Sequence, residues 1–123
     1  MDLINWLAVG AGTLGAFLLG MIWFSPLLFG KSWSTGSHNI QPPDSPPITA
    51  MVIQLCGTAA LAVVVGLTET NGDLLTAGFA IGATALLVAG MDLFSQKTSQ
   101  ATLIDAGYII VAGIIMIGAQ GLL

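Results

Sequence analysis

The sequence predicts an all-α fold, a bundle of four transmembrane helices in an integral membrane protein. Only 7% of its 123 residues are charged and 55% are hydrophobic, and four apolar stretches are each long enough to cross a bilayer. A soluble domain carries about a quarter charged residues, so this chain would leave most of a soluble surface apolar. Four strands cannot close a barrel and lipid leaves no backbone group unpaired, so the spans are expected to be helical.

The apolar stretches cover about residues 6–29, 48–67, 74–94 and 101–123, and we expect residues 1–123 to form a single membrane domain. Each stretch has about 20 residues or a few more, which matches a hydrocarbon core of about 30 Å at a rise of 1.5 Å per residue. Asp2 stands where a signal peptide carries Lys or Arg, so the first stretch is expected to remain as a helix.

The first span contains Pro26 in its last turns. Proline removes one hydrogen bond, here the one to the carbonyl of Ile22, and kinks or ends a helix. We expect the Ser25 hydroxyl to satisfy part of that carbonyl region. The connection over residues 32–47 follows, and its prolines favour an extended path.

The remaining spans have recognisable start signals. Ser45 followed by Pro46 is typical of an N-cap and first helical residue, which predicts the start of the second span. Asp73 is expected to cap the third span, and Thr98 or Ser99 the fourth. The loops are too short to hold a separate soluble domain.

Small residues at a spacing of four predict how the helices pack. Lipid is as apolar as leucine, so close backbone approach at small residues drives association of transmembrane helices. The pattern leaves open whether these ridges serve the bundle, a second copy or a foreign subunit. The ridge residues are Ala8, Gly12, Ala16 and Gly20 on the first span and Gly78 and Gly82 on the third.

Charge placement predicts the orientation. Lys31 follows the first span and Lys97 the third, so we expect both on one side of the membrane. Asp2, Glu69 and Asp73 are expected on the other side. The positive-inside rule then places the Lys31 and Lys97 loops in the cytoplasm and both termini outside.

Two carboxylates lie within the spans and are functional candidates because charge is costly in a membrane. Asp92 lies about one turn before the end of the third span and Asp105 about one turn after the start of the fourth, with Tyr108 and Lys97 expected nearby. Two interpretations stay open. The pair could form a proton or cation site, or it could be structural, with Asp105 complementing its helix dipole and Asp92 reaching water or Lys97.

Several functions are not expected. His38 is the only histidine of the sequence and lies in a loop, so the spans contain no histidine and no haem ligand is predicted. The sequence has no metal-ligand spacing, phosphate loop or nucleophile elbow, and we predict no enzyme. Two basic residues are too few for nucleic acid. No cofactor is predicted, apart from a bound lipid or a pigment held without histidine.

Two segments carry a resemblance to a known family. Residues 5–9 (NWLAV) leading to 23–33 (WFSPLLFGKSW), and residues 103–108 (LIDAGY), are similar to the first and fourth helices of a bacterial family of small four-pass membrane proteins, the domain of unknown function number 1761. That family has Asn and His where this chain has Asp105 and Ile109. The resemblance implies the four-helix fold and a bacterial inner-membrane location.

The sequence as a whole predicts a non-enzymatic accessory subunit. Abundant packing surface with little chemistry favours a protein that contacts membrane lipids and either other membrane subunits or itself, in an energy-transducing complex such as a photosynthetic or respiratory one. The alternative is a small homo-oligomeric proton- or cation-coupled transporter or channel that uses Asp92 and Asp105.

Overall fold

The computed structural model describes residues 3–123 and is all-helical over that range; Asp2 lies outside the described residues. Four of its helices are long and apolar enough to cross a membrane, which confirms the predicted fold class. A fifth, short helix follows the first span and was not predicted. The helices are α1 (Trp6–Trp23), α2 (Gly30–Gly36), α3 (Ile48–Thr70), α4 (Leu74–Phe94) and α5 (Ser99–Leu122).

The four long helices form a ring in the order α1, α3, α4, α5, and α3 also contacts α5 across the middle. α5 is the central element because it packs against all four other helices. α1 and α5 are antiparallel. Trp23, at the end of α1, donates a hydrogen bond from its indole N–H to the carbonyl of Ile104, near the start of α5. Gly12, earlier in α1, lies against Met116, later in α5.

α1 is shorter than predicted, because its regular turns end at Trp23 and not at Phe29. Pro26 has no N–H to continue the helix. The carbonyl of Ile22 accepts instead from the Ser25 hydroxyl at 2.6 Å and from the Ser25 N–H at 3.1 Å. The predicted rescue by Ser25 is therefore confirmed, and the chain turns into α2.

Two of the predicted helix starts are confirmed. The Asp73 carboxylate accepts from the backbone N–H of Thr76 at 3.1 Å, and the Thr98 hydroxyl accepts from the N–H of Ala101 at 3.1 Å. The side-chain and backbone hydrogen bonds from Thr76 lower the pKa of the exposed Asp73 carboxyl below its usual value.

α3 begins at Ile48, the first residue of the predicted span, with Pro47 as its N-cap. The prediction of Ser45 as the N-cap and Pro46 as the first helical residue was therefore wrong. A residue that precedes proline is pushed out of the helical region. Pro46 precedes Pro47, so it cannot be the first helical residue. α3 also continues to Thr70, three residues beyond the predicted span.

The small residues of α1 lie against the interior of the bundle. Ala8, Gly12 and Ala16 are buried. A Cβ atom at Gly12 would lie 3.2 Å from the Cα of Met116, and one at Gly20 would lie 3.1 Å from the Tyr108 hydroxyl oxygen. α1 and α5 therefore approach each other at backbone distance.

Candidate functional site

A cluster of charged side chains occupies the end of the bundle where α4 turns into α5. The Lys97 ammonium lies 3.7 Å from Asp92 Oδ1 and 3.4 Å from Asp105 Oδ2. These three side chains, here called the charge cluster, are mostly withdrawn from solvent, with 12–21% of each side chain exposed. When both carboxylates are ionised, two acids around one ammonium give the cluster one net negative charge.

The turn between α4 and α5 brings the cluster together. The Lys97 N–H donates to the Asp92 carbonyl at 3.0 Å, and the Gln96 N–H donates to the Leu93 carbonyl at 3.0 Å. This is the Schellman pattern at a helix end, with Gln96 in the left-handed conformation at φ 63°. A non-glycine residue in the left-handed conformation costs about 1–2 kcal/mol of free energy. The backbone at Gln96 is therefore strained, and this conformation turns Lys97 back over α4.

α2 covers the charge cluster from one side. Trp33 Nε1 donates to Asp105 Oδ1 at 2.8 Å, and the Lys97 ammonium lies 5.4 Å from the centre of the Trp33 ring. The Gly36 carbonyl accepts from the Thr98 N–H at 3.0 Å. A Cβ at Gly36 would overlap Thr98 Oγ1 and lie 2.7 Å from the Ala101 Cβ, so α2 reaches α5 only because this residue is glycine.

Three buried side-chain oxygens near this end have no hydrogen-bond partner among residues 3–123: Asp92 Oδ2, Thr102 Oγ1 and Ser37 Oγ. Their residues are only 8%, 6% and 5% exposed. An orphaned buried polar group costs about 1–3 kcal/mol unless water satisfies it. This end of the bundle is thus polar and has unused capacity to bind water, a proton or a cation.

Tyr108 does not join the charge cluster. Its hydroxyl donates to the carbonyl of Ala16 at 2.7 Å, and its ring packs against Trp23 and Phe24 with centroids 6.5 and 5.5 Å apart. The structure therefore brings together Asp92, Asp105 and Lys97, and it places Tyr108 in the contact between α1 and α5. No group of three His, Cys, Asp or Glu side chains in residues 3–123 is arranged to hold a metal ion.

A second feature is the face of α4 that points away from the bundle. Ala77, Ile81 and Ala85 form its buried side. A Cβ atom at Gly78 or Gly82 would meet no atom within 4 Å. The α4 outer face consists of Leu74, Leu75, Gly78, Phe79, Gly82, Ala83 and Leu86, which line one shallow apolar groove.

The six predicted ridge residues thus divide between two places. The ridge on α1 faces the inside of the bundle, with Gly12 and Gly20 against α5. Gly78 and Gly82 lie on the α4 outer face, where no helix of residues 3–123 covers them. Sequence reasoning missed α2 and Trp33. The signal that could have found α2 is the proline-free run between Pro26 and Pro42, which is long enough for a short helix and contains a tryptophan.

The fold and the site define a small, all-helical, multi-pass membrane protein with a charge cluster at one end and an open apolar helix face. The chain belongs to the family described as "Protein of unknown function (DUF1761)", whose family model matches residues 7–120. The comparisons with curated proteins and with solved structures gave no match.

Proposed function

We propose that this protein is a non-enzymatic accessory subunit that binds a transmembrane helix of another membrane protein through the α4 outer face. The observation that carries the proposal is the open space at Gly78 and Gly82. Glycines four residues apart let another helix approach to backbone distance, and this approach is what drives helix association in lipid.

The surroundings of these glycines support the same function. Phe79 is 71% exposed and Leu75 is 72% exposed, and they flank the two glycines. Large side chains beside a glycine surface provide ridges that a partner helix can interlock with. On α1, by contrast, Met116 of the same chain fills the space beside Gly12.

The finer placement is also part of the proposal. α2 with Lys31 and the turn with Lys97 lie at one end of the bundle, and Glu69 and Asp73 lie at the other. The positive-inside rule favours a cytoplasmic position for the lysine end and an outside position for both termini, in a bacterial inner membrane. The partner would be a subunit of an energy-transducing complex.

The test is purification of the tagged protein from its native membranes in mild detergent, compared with Gly82→Leu. A leucine at this open position leaves the fold intact but blocks close helix approach, so we expect the stoichiometric partner to be lost. Gly10→Leu is the matched control because Gly10 also faces open space, on α1. Retention of the partner by Gly82→Leu, or a homodimer alone in the wild type, would contradict the proposal.

A proton- or cation-coupled transporter is the second candidate, favoured by the orphaned Oδ2 of buried Asp92. If the protein is such a transporter, Asp92→Asn or Asp105→Asn should abolish uptake into proteoliposomes that is driven by a proton or cation gradient, because the amide cannot carry the negative charge. Asp44→Asn, in the exposed loop, is the control that should leave uptake unchanged. Equal uptake in all four proteins would rule the candidate out.

A further inference from the structure

We propose that a cleft between α2 and the proline-rich segment that follows it binds the head group of an anionic phospholipid, with Lys31 as the cation that contacts its phosphate. The cleft has a volume of about 600 Å³. Its walls include Phe24, Pro26, Lys31, Trp33, Ile40 and Pro42. This cleft is a different surface from the α4 outer face and takes a different occupant, but its assignment to a lipid of the cytoplasmic leaflet rests on the orientation given under the proposed function.

The charge of the cleft favours an anionic ligand. Lys97 is already paired with Asp92 and Asp105. Lys31 is exposed, and no carboxylate of residues 3–123 lies within 4.0 Å of its ammonium. The nearest acid along the chain is Asp44, which is exposed and does not line the cleft. Lys31 therefore leaves one positive charge at the cleft without an internal partner.

Hydrogen bonds hold the cleft open before any ligand arrives. The Ser34 hydroxyl donates to the carbonyl of Ile40 at 2.6 Å, which ties the segment to α2. Gln41 Nε2 donates to the carbonyl of Asn39 at 2.9 Å. His38 and Asn39 both have left-handed backbones, at φ 63° and 56°, and reverse the chain there. A preformed cleft lowers the entropic cost of binding.

The position of the cleft favours a lipid over a free anion. It lies directly after the end of α1, beside Trp33, and tryptophan prefers the level of the lipid head groups. Leu27, which follows the cleft residue Pro26 in the chain, is 86% exposed and offers an apolar contact to an acyl chain. Free phosphate would contact Lys31 but not the apolar walls of the cleft, which would stay exposed. A phospholipid would use both.

The orientation agrees with this occupant. Anionic lipids are concentrated in the cytoplasmic leaflet and attract basic residues near its surface. The positive-inside rule places Lys31 on that side.

The test is a titration of the purified protein, in neutral detergent, with phosphatidylglycerol or with phosphatidylcholine of the same acyl chains. Tryptophan fluorescence reports occupancy because Trp33 lines the cleft, and native mass spectrometry reports stoichiometry. We expect one phosphatidylglycerol to bind saturably and phosphatidylcholine to bind more weakly. Lys31→Gln should weaken phosphatidylglycerol binding about fivefold, whereas Lys31→Arg should retain it.

Two further experiments distinguish binding in the cleft from non-specific attraction of lipid to the protein surface. Ile40→Trp fills the cleft while keeping Lys31, and should abolish saturable binding, as measured by native mass spectrometry. Inorganic phosphate should not displace the lipid at equal concentration. Equal binding of the two lipids, unchanged binding by Lys31→Gln or by Ile40→Trp, or displacement by phosphate would each overturn the proposal.

Discussion

Replacing Gly113 by leucine should separate α4 from α5 and lower the unfolding free energy by about 1–3 kcal/mol, the range for overpacking a filled core. A Cβ atom at this position would lie 2.5–2.7 Å from three side-chain carbons of Ile81. Ile81 is a buried, β-branched residue, so its side chain cannot rotate away. The two helices must move apart instead. Denaturation in detergent, followed by circular dichroism, measures the loss.

The matched control for this change lies on the same helix. A Cβ atom at Gly118 on α5 would meet no atom within 4 Å, so Gly118→Leu adds the same side chain in open space. We expect this variant to be as stable as the wild type or slightly more stable, because leucine favours helix over glycine. Equal destabilisation by the two variants would mean that α4 and α5 do not pack as described.

Lys97→Met should give the other large effect, by leaving Asp92 and Asp105 as neighbouring carboxylates without a cation. Removing one partner of a buried ion pair costs about 3–5 kcal/mol. Because Lys97 and both acids are partly exposed, solvent screens the charges and we expect about 2 kcal/mol. The same denaturation measurement applies. Tryptophan fluorescence should also change as α2 loosens, since Trp33 donates to Asp105.

Lys31→Met is the matched control, because it removes the same charge from a lysine that makes no ion pair within residues 3–123. Adding Asp105→Asn to Lys97→Met should recover part of the lost stability, since one of the two repelling charges is then gone. If Lys97→Met is as stable as Lys31→Met, the charge cluster does not hold this end of the bundle together.

The spans and most of their start signals could be predicted from the sequence because they depend on local chemistry. The length of each apolar stretch sets the number of crossings, and Asp73 and Thr98 cap the helices that follow them. The N-cap of α3 was predicted two residues too early because the effect of Pro47 on Pro46 outweighs the capping preference of Ser45. This effect is also local, and the two adjacent prolines could have shown it.

The face on which each small residue packs could not be predicted. Gly78 and Gly113 look alike in the sequence, but one faces open space and the other faces Ile81. The difference depends on how α4 is rotated relative to α5, which spacing alone does not fix in so apolar a chain. Small residues spaced four apart identify a ridge on a helix, but they do not identify which helix packs against that ridge.

The candidate site shows the same division between local and distant contacts. Asp92, Lys97 and Asp105 are brought together by one short turn, so their proximity could be predicted. Trp33 is 72 residues from Asp105 along the chain, and its hydrogen bond exists only because α2 folds back onto α5. Tyr108 was expected beside the cluster, but the carbonyl of Ala16 on α1 is the partner of its hydroxyl.

The most direct test of the α4 outer face as a binding surface is photo-crosslinking in native membranes. A photo-reactive phenylalanine derivative placed at Phe79 lies in the centre of that face, and the same group placed at Leu14 lies on an exposed part of α1. We predict that position 79 yields one protein adduct of fixed mass, while position 14 yields lipid adducts alone. Lipid adducts alone from both positions would contradict the account.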